Sequence, residues 1–150
     1  TAMPKPRPQP ITPDQLPAAA LAVLDRHRFP MLATTDGAQP CVRPITATWH
    51  VGFTVYFANL KRFHKTIEMS VNPKVELCYL DESDDQVRIT GIAELVADRA
   101  TQEEAFRRDA LLRQYLGSPD NPEFTLWRVT PIRVRFMREW ALEYHEVPMS

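Results

Sequence analysis

Apolar and polar positions along the chain change their period several times, and each change marks an element. Between Leu16 and His27 the residues Leu16, Ala19, Ala20, Val23, Leu24 and His27 fall on one face at helical spacing. Pro17 lacks an N–H and is comfortable only in a first turn, which favours Asp14 over Thr12 as the cap of this helix. From Pro30 onward the period shortens to that of strands. "MLATT" reads as a first strand and Asp36-Gly37 as its hairpin turn, "CVRPITATWH" as a second strand ending at Gly52, and "TVYFAN" as a third. A short helix follows, with Phe63, Ile67 and Val71 on one side and Asn72-Pro73 as its stop.

In "KVELCYL" the residues Val75, Leu77 and Tyr79 alternate with Lys74, Glu76 and Cys78, the pattern of a half-buried strand. The acidic "DESDD" makes the next turn, and "QVRITGIAELV" is a long fifth strand in which Gly91 marks a bend or bulge. Thr101 and Glu104 form a capping box that opens a second long helix, ended by Gly117. After the loop "SPDNPE", the segments "TLWRV", "IRVRFM" and "WALEYHEV" close the chain as strands. Many antiparallel hairpins with few helices predict a mainly β (α+β) fold, a small closed or nearly closed barrel with helices outside.

The chain has 150 residues, the length of one domain with a core of its own. Residues 1–12 alternate proline with polar residues and read as a flexible extended tail, leaving 13–150 as the folded domain. A net charge of −1 argues against nucleic acid or an anionic membrane as partner, so any anion must be bound by a local cluster. No apolar run approaches a membrane span and no signal-peptide pattern opens the chain, which together predict a cytoplasmic protein. Cys41 and Cys78, far apart in strand-like stretches, read as reduced and buried, and the four histidines show no metal-ligand spacing.

One junction stands out chemically. Lys61, Arg62, His64 and Lys65 crowd the passage from the third strand into the short helix. A cation is disfavoured at the positive end of a helix unless an anion shares the site. On the second strand Arg43 is a cation among apolar neighbours, beside Pro44, which removes a ladder donor and suggests an edge or bulge. Arg43, Lys65 and the helix N–H groups would together clamp a phosphate; alternatively the lysines and arginines simply point to water.

The run from Arg43 to Gly91 resembles the flavin-binding split-barrel family of the pyridoxamine 5′-phosphate oxidase type, with its smaller general-stress-protein relatives. The likeness lies in the arginine-bearing strand, "TVYFAN", "RFHKTIEMSVNPKVELCYL" and "QVRITGIAEL", in that order over about fifty residues. The resemblance implies a six- to seven-stranded antiparallel split β-barrel with flanking helices. It implies a homodimer with FMN at the subunit interface, acting on a small-molecule substrate. Arg43 and Lys65 would then hold the FMN phosphate, with His64 standing where the family often has arginine. Pro44, Ile45, Thr46 and Thr48 would line the ribityl chain and ring, Phe57 and Ala58 would flank the flavin, and Gln86 would hydrogen-bond it. Trp127 would approach the ring from the partner subunit, or else be an ordinary core tryptophan.

Two departures count against vitamin B6 oxidation. Thr48 stands where the oxidase has a lysine, and its late Arg-x-His motif is at best Arg133-Val134-Arg135. The resemblance therefore implies an FMN-dependent oxidoreductase of another substrate. A deazaflavin (F420)-dependent reductase, whose polyglutamate tail would want a basic groove such as Arg128, Arg133, Arg135 and Arg138, is one alternative. A non-catalytic flavin- or haem-binding stress protein is the other.

Overall fold

A computed structural model describes all residues except Lys5, Pro6, Pro8, Trp140 and Ser150. Helix α1 (Leu16–Arg26) is followed by strands β1 (Met31–Asp36), β2 (Gln39–Pro44), β3 (Trp49–Val51) and β4 (Thr54–Leu60). Then come α2 (His64–Val71), β5 (Lys74–Leu80), β6 (Gln86–Leu95), α3 (Arg99–Arg108), α4 (Ala110–Leu116), β7 (Phe124–Met137) and the short β8 (His145–Glu146). All strand pairs are antiparallel, in the order β2-β1-β5-β6-β7-β4-β3, with β8 added to β7.

The residues between β2 and β3 join the two ends of this path. Ile45 N–H donates to Pro30 O (2.9 Å) and Ala47 N–H to Arg28 O (2.8 Å), continuing the pairing on the β1 side. Thr48 N–H then donates to Tyr56 O at 2.8 Å, on β4. One extended segment, Pro44–Thr48, thus crosses from one edge of the sheet to the other and seams it into a split barrel. The single second strand expected over 41–50 is divided here, because its ladder partner changes midway.

The barrel is filled from alternate positions of its strands. On β5 Val75, Leu77 and Tyr79 point inward, and Phe57, Val87, Ile89, Val129 and Phe136 meet them. Helix α1 closes this core with Leu16, Ala20, Val23 and Leu24, the face its spacing predicted. Its entry is a 3₁₀ turn over Pro13–Gln15, in which Thr12 N–H donates to Gln15 Oε1 (3.0 Å). Thr12 is the cap position of this turn and Gln15 that of α1, so Asp14 caps neither, and Pro17 is left in the first α-helical turn. A second, smaller core unites α3 with the sheet through Ala105, Phe106, Phe124 and Leu126, the two phenylalanine rings meeting edge to face at 4.8 Å.

Several details depart from the sequence pattern. On α2 the buried residues are Thr66 and Met69, while Phe63, Ile67 and Val71 are exposed. The expected long helix from Thr101 to Gly117 is two helices. Asp98, not Thr101, caps the first by accepting from Thr101 N–H, and extended Asp109 ends it and caps the second through Leu111 N–H. The strands expected at "TLWRV" and "IRVRFM" are one, running through Pro131, which lies opposite Gly91 where the β6–β7 register shifts. The predicted bulge at Gly91 is therefore present, and it spares Pro131 a ladder donor. Of "WALEYHEV", Trp140 lies outside the described residues and only His145–Glu146 is strand. Cys41 and Cys78 are free thiols, half-buried rather than fully buried. No helix among the described residues is long and apolar enough to cross a membrane.

Candidate functional site

The barrel seam, the end of β4, the start of α2 and helix α4 line an open cavity of about 690 Å³. Pro44, Ile45 and Thr46 form one wall, Ala58 and Asn59 another, and Arg62 and Lys65 sit at the α2 end. Opposite them α4 contributes apolar Leu111, Leu112 and Tyr115. The cavity is thus apolar along one side and carries Lys65 at one end, where Arg62 is offset by Glu123 at 3.8 Å, a shape suited to a ligand with a flat apolar body and an anionic tail.

The cationic end is built by a small polar network. Arg43 Nη1 donates to Thr34 Oγ1 at 2.6 Å, Arg43 Nη2 to Glu68 Oε2 at 2.7 Å, and Thr34 Oγ1 to the same Glu68 oxygen at 2.5 Å. Thr34, on β1, pairs with β2 near Arg43, and Glu68 follows Lys65 by one turn of α2. Thr34's hydroxyl holds the Glu68 carboxyl below the usual carboxylate range; burial opposes this and Arg43 reinforces it.

Lys65 is treated the opposite way. Burial first, and then the charge of Arg43, lower its pKa from the ordinary lysine value. Its ammonium lies 5.1 Å from the centroid of the Phe63 ring. It occupies the first turn of α2, where Phe63 caps without a side-chain bond and backbone N–H groups have no intrahelical partner. An anion beside Lys65 would offset the repulsion it feels from Arg43 and meet the open helix end.

The turn is held in place from inside the barrel. Asn59 Nδ2 donates to Thr66 Oγ1, which in turn donates to Leu60 O at 3.0 Å. This pair fixes the first turn of α2 onto the end of β4, and it explains why a threonine rather than Ile67 faces inward.

Of the residues singled out in the sequence, Pro44, Ile45, Thr46, Ala58 and Lys65 line this one cavity, with Arg43 beside it. Phe57, expected to flank the flavin, is instead a fully buried core residue and does not line the cavity. His64 is exposed at the helix start. Thr48 faces a second, smaller cavity across the seam. Gln86 lies at the start of β6 and accepts from Tyr144 Oη at 2.9 Å, away from the cavity lining. Trp127 is a core residue, its indole N–H donating to Thr125 Oγ1 at 3.2 Å.

Sequence reasoning missed Thr34, Asn59, Thr66 and Glu68. Nothing but the fold brings Thr34 and Glu68 to Arg43, although Glu68, three residues beyond Lys65, carried the spacing of a helix-face neighbour.

A search among curated proteins finds no match. Among solved structures, a NimC/NimA family protein from Clostridium acetobutylicum is 25% identical, with 89% of this chain and 92% of that one covered at a TM-score of 0.75. A protein related to general stress protein 26, also from Clostridium acetobutylicum, is 18% identical with a TM-score of 0.77 over 93% and 97% of the two chains. A pyridoxamine 5′-phosphate oxidase-related, FMN-binding protein from Nostoc punctiforme is 19% identical, with a TM-score of 0.64 over 86% of each chain. The family model described as pyridoxamine 5′-phosphate oxidase matches residues 16–138, from the first helix to the end of the long strand β7. With residues 16–138 of its 150 matched, the chain belongs to the pyridoxamine 5′-phosphate oxidase family.

Proposed function

We propose that this protein binds FMN in the cavity beneath α4 and serves as an FMN-dependent oxidoreductase on a small-molecule substrate other than pyridoxamine 5′-phosphate. The observation that carries the reading is Lys65: a half-buried ammonium beside a second cation, opening onto a cavity of about 690 Å³. A phosphate there would be held by charge-assisted bonds from Lys65 and by the open N–H groups of α2, with Arg43 already oriented by Glu68 and Thr34. Pro44–Thr46 and Ala58 would pack on the flat part of the cofactor. Bound flavin supplies the redox chemistry, and the chain's part is to bind, orient and shield it.

Gln86 does not line this cavity, so the bond to flavin expected of it would come from a second copy, and the proposal includes a homodimer with cofactor at its interface. The polyglutamate tail of a deazaflavin would want free arginines, whereas three of the four that would form its groove, Arg128, Arg133 and Arg135, are engaged by Glu94, Glu146 and Glu76 respectively, which leaves Arg138 alone. FMN is the better match. The absorption spectrum of the purified protein, before and after FMN is added, tests the cofactor. Reduction of the bound flavin by NADH or NADPH then separates an oxidoreductase from a protein that merely sequesters its ligand. A chain that takes up riboflavin and FMN equally, or neither, overturns the reading.

A further inference from the structure

Helix α4 has seven residues, and none of them is buried. Leu112 and Leu116, one turn apart, are partly buried against the second core. Leu111 and Tyr115, also one turn apart, line the cavity and are 55% and 75% exposed. The chain's own core thus uses one stripe of α4 and leaves the other, a leucine and an aromatic ring, to whatever enters the cavity. Phe29 and Phe63 add two more exposed rings to the same lining.

This wall is fastened at both ends. Asp109 accepts from Leu111 N–H at 2.9 Å at its start, and Asn121 Nδ2 donates to Leu116 O at 3.1 Å at its end. Arg113, the one charged residue of α4, donates to Phe106 O and Arg107 O on α3 and does not line the cavity. Charge in the lining is confined to the far side, where Lys65 and the Arg62–Glu123 pair stand at the start of α2. Asn121 is engaged by the chain itself, its amide on Leu116 O and its carbonyl on Glu123 N–H at 2.9 Å. A charged group brought against Leu111 and Tyr115 would lose water and find no partner. A neutral aromatic ring would bury apolar surface there and meet other rings.

We propose that Leu111 and Tyr115 form the substrate-selecting wall of the cavity, and that the substrate is a neutral, largely apolar aromatic compound. The proposal rests on the FMN reading: with the cofactor against Pro44–Thr46 and Ala58, α4 is the wall left for the molecule it acts on.

Naphthalene-2-carboxamide, which is neutral, and naphthalene-2-carboxylate, its anionic counterpart, are suitable probes, titrated calorimetrically into the FMN-loaded protein. The carboxamide should bind saturably, about tenfold or more tighter than the carboxylate. Leu111→Gln and Tyr115→Gln should each weaken the carboxamide about tenfold, the loss of one apolar contact. Tyr115→Phe should keep the native affinity, since the ring and not the hydroxyl makes the wall. All three variants should keep the urea midpoint, the sedimentation coefficient and, within about twofold, the Kd for FMN, because they change exposed helix positions. Carboxylate bound as tightly as carboxamide, or an unchanged carboxamide affinity in the glutamine variants, would overturn the proposal. So would a loss of FMN affinity, which would make α4 a cofactor wall, or a loss of the dimer, which would make it a subunit contact. A chain that takes up no FMN overturns the cofactor reading as well, and shows it before any probe is added. A loaded chain that binds neither probe overturns this proposal alone.

Discussion

Arg43 Nη2 lies 2.7 Å from Glu68 Oε2, so the guanidinium nearest Lys65 is already tied to a carboxylate on the same helix. Arg43 is therefore not a free cation waiting for an anion. Its orientation is set by Glu68 and Thr34, while Lys65, without an ion pair among the described residues, is left to take the ligand's charge. Anchored beside mobile is an economical arrangement: the fork keeps its geometry whether or not ligand is bound, and only one long side chain must be ordered on binding.

Lys65→Met should accordingly weaken FMN far more than riboflavin, because only FMN carries the phosphate. A charge-assisted contact contributes roughly 1.5–3 kcal/mol, so the loss should be about ten- to a hundredfold in Kd. The same logic fixes a pH dependence. Lys65's pKa is lowered in the free protein, and a phosphate beside it would raise it, so between those two values binding takes up protons. FMN affinity should fall as pH rises through the lowered lysine pKa, while riboflavin affinity should not. Equal effects on the two ligands would remove the clamp.

Glu68→Gln tests the anchor through stability. The folded-state pKa of Glu68 is depressed, first by Thr34's hydroxyl, against burial and with help from Arg43. Its stabilising contribution is therefore complete above the unfolded carboxylate value of about 4.3 and is lost as pH falls through the lower folded value. At pH near 7 the glutamine variant should be less stable, by about 1.5–3 kcal/mol for a hydrogen-bonded charge pair. That gap should narrow in acid. Urea midpoints for both chains, compared at neutral and acid pH, measure it; a gap independent of pH would mean that the charge of Glu68 is not what matters.

What could be read from the sequence, and what could not, divides along local and non-local causes. The alternation in β5 and the turn at Asp36-Gly37 are written in residues whose neighbours in sequence are also their neighbours in space, and Gly91 was legible because a glycine inside a strand pattern is itself anomalous, although its partners on β7 are distant in sequence. Arg43 and Lys65 were legible because a cation among apolar residues, or at a helix start, is locally anomalous. The inward face of α2 was not, because Thr66 is chosen by Asn59 and Leu60 O on another element. The break at Asp109 was also hidden: no glycine or proline marks it, only an aspartate whose side chain takes over Leu111 N–H. The division of the second strand at the seam is a property of barrel closure, for which the sequence carries no signal beyond Pro44.

Gly91 should resist substitution. A Cβ there would sit 2.6 Å from Thr130 O and 2.7 Å from Val129 Cγ1, the first of these a backbone atom that cannot swing aside. Gly91→Ala must push β7 away at the bulge or distort it, an overpacking that costs about 1–3 kcal/mol. Urea denaturation should show a lower midpoint with an unchanged slope. An unaltered midpoint would mean the two strands separate there more easily than their register suggests.

A dimer is expected in solution. Val42, Ile67 and Val71 are large apolar side chains at 57% exposure or more, which a single chain leaves to water. An obligate interface of this kind should cover on the order of 2,000 Å² or more in total. Sedimentation at micromolar concentration with FMN bound should give twice the chain mass. A cofactor-loaded monomer would count decisively against an interfacial flavin.

Whatever its cofactor, this chain should oxidise pyridoxamine 5′-phosphate poorly. That reaction needs a second phosphate anchor beside the flavin, to hold the substrate and set its reacting carbon against the ring. Thr48, set by the resemblance where the oxidase would have a lysine, carries no charge and faces the other cavity. The late arginines are present but engaged. Arg133 is paired with Glu146. Arg135 donates to Glu76 at 2.8 Å and lies 5.7 Å from the Tyr144 ring. Glu76 is itself kept ionised: burial raises its pKa, but bonds from Arg88 and Thr90 and the charges of Arg88 and Arg135 outweigh that and lower it. Freeing Arg135 for a substrate phosphate would leave this partly buried carboxylate with less of its compensation, so the pairing competes directly with the anchor the reaction requires. Turnover should be negligible even with FMN fully bound. A steady-state assay with pyridoxamine and pyridoxine 5′-phosphates checks this: a kcat near about one per second with a micromolar KM, ordinary enzyme values, would show that a phosphate anchor exists elsewhere in the site.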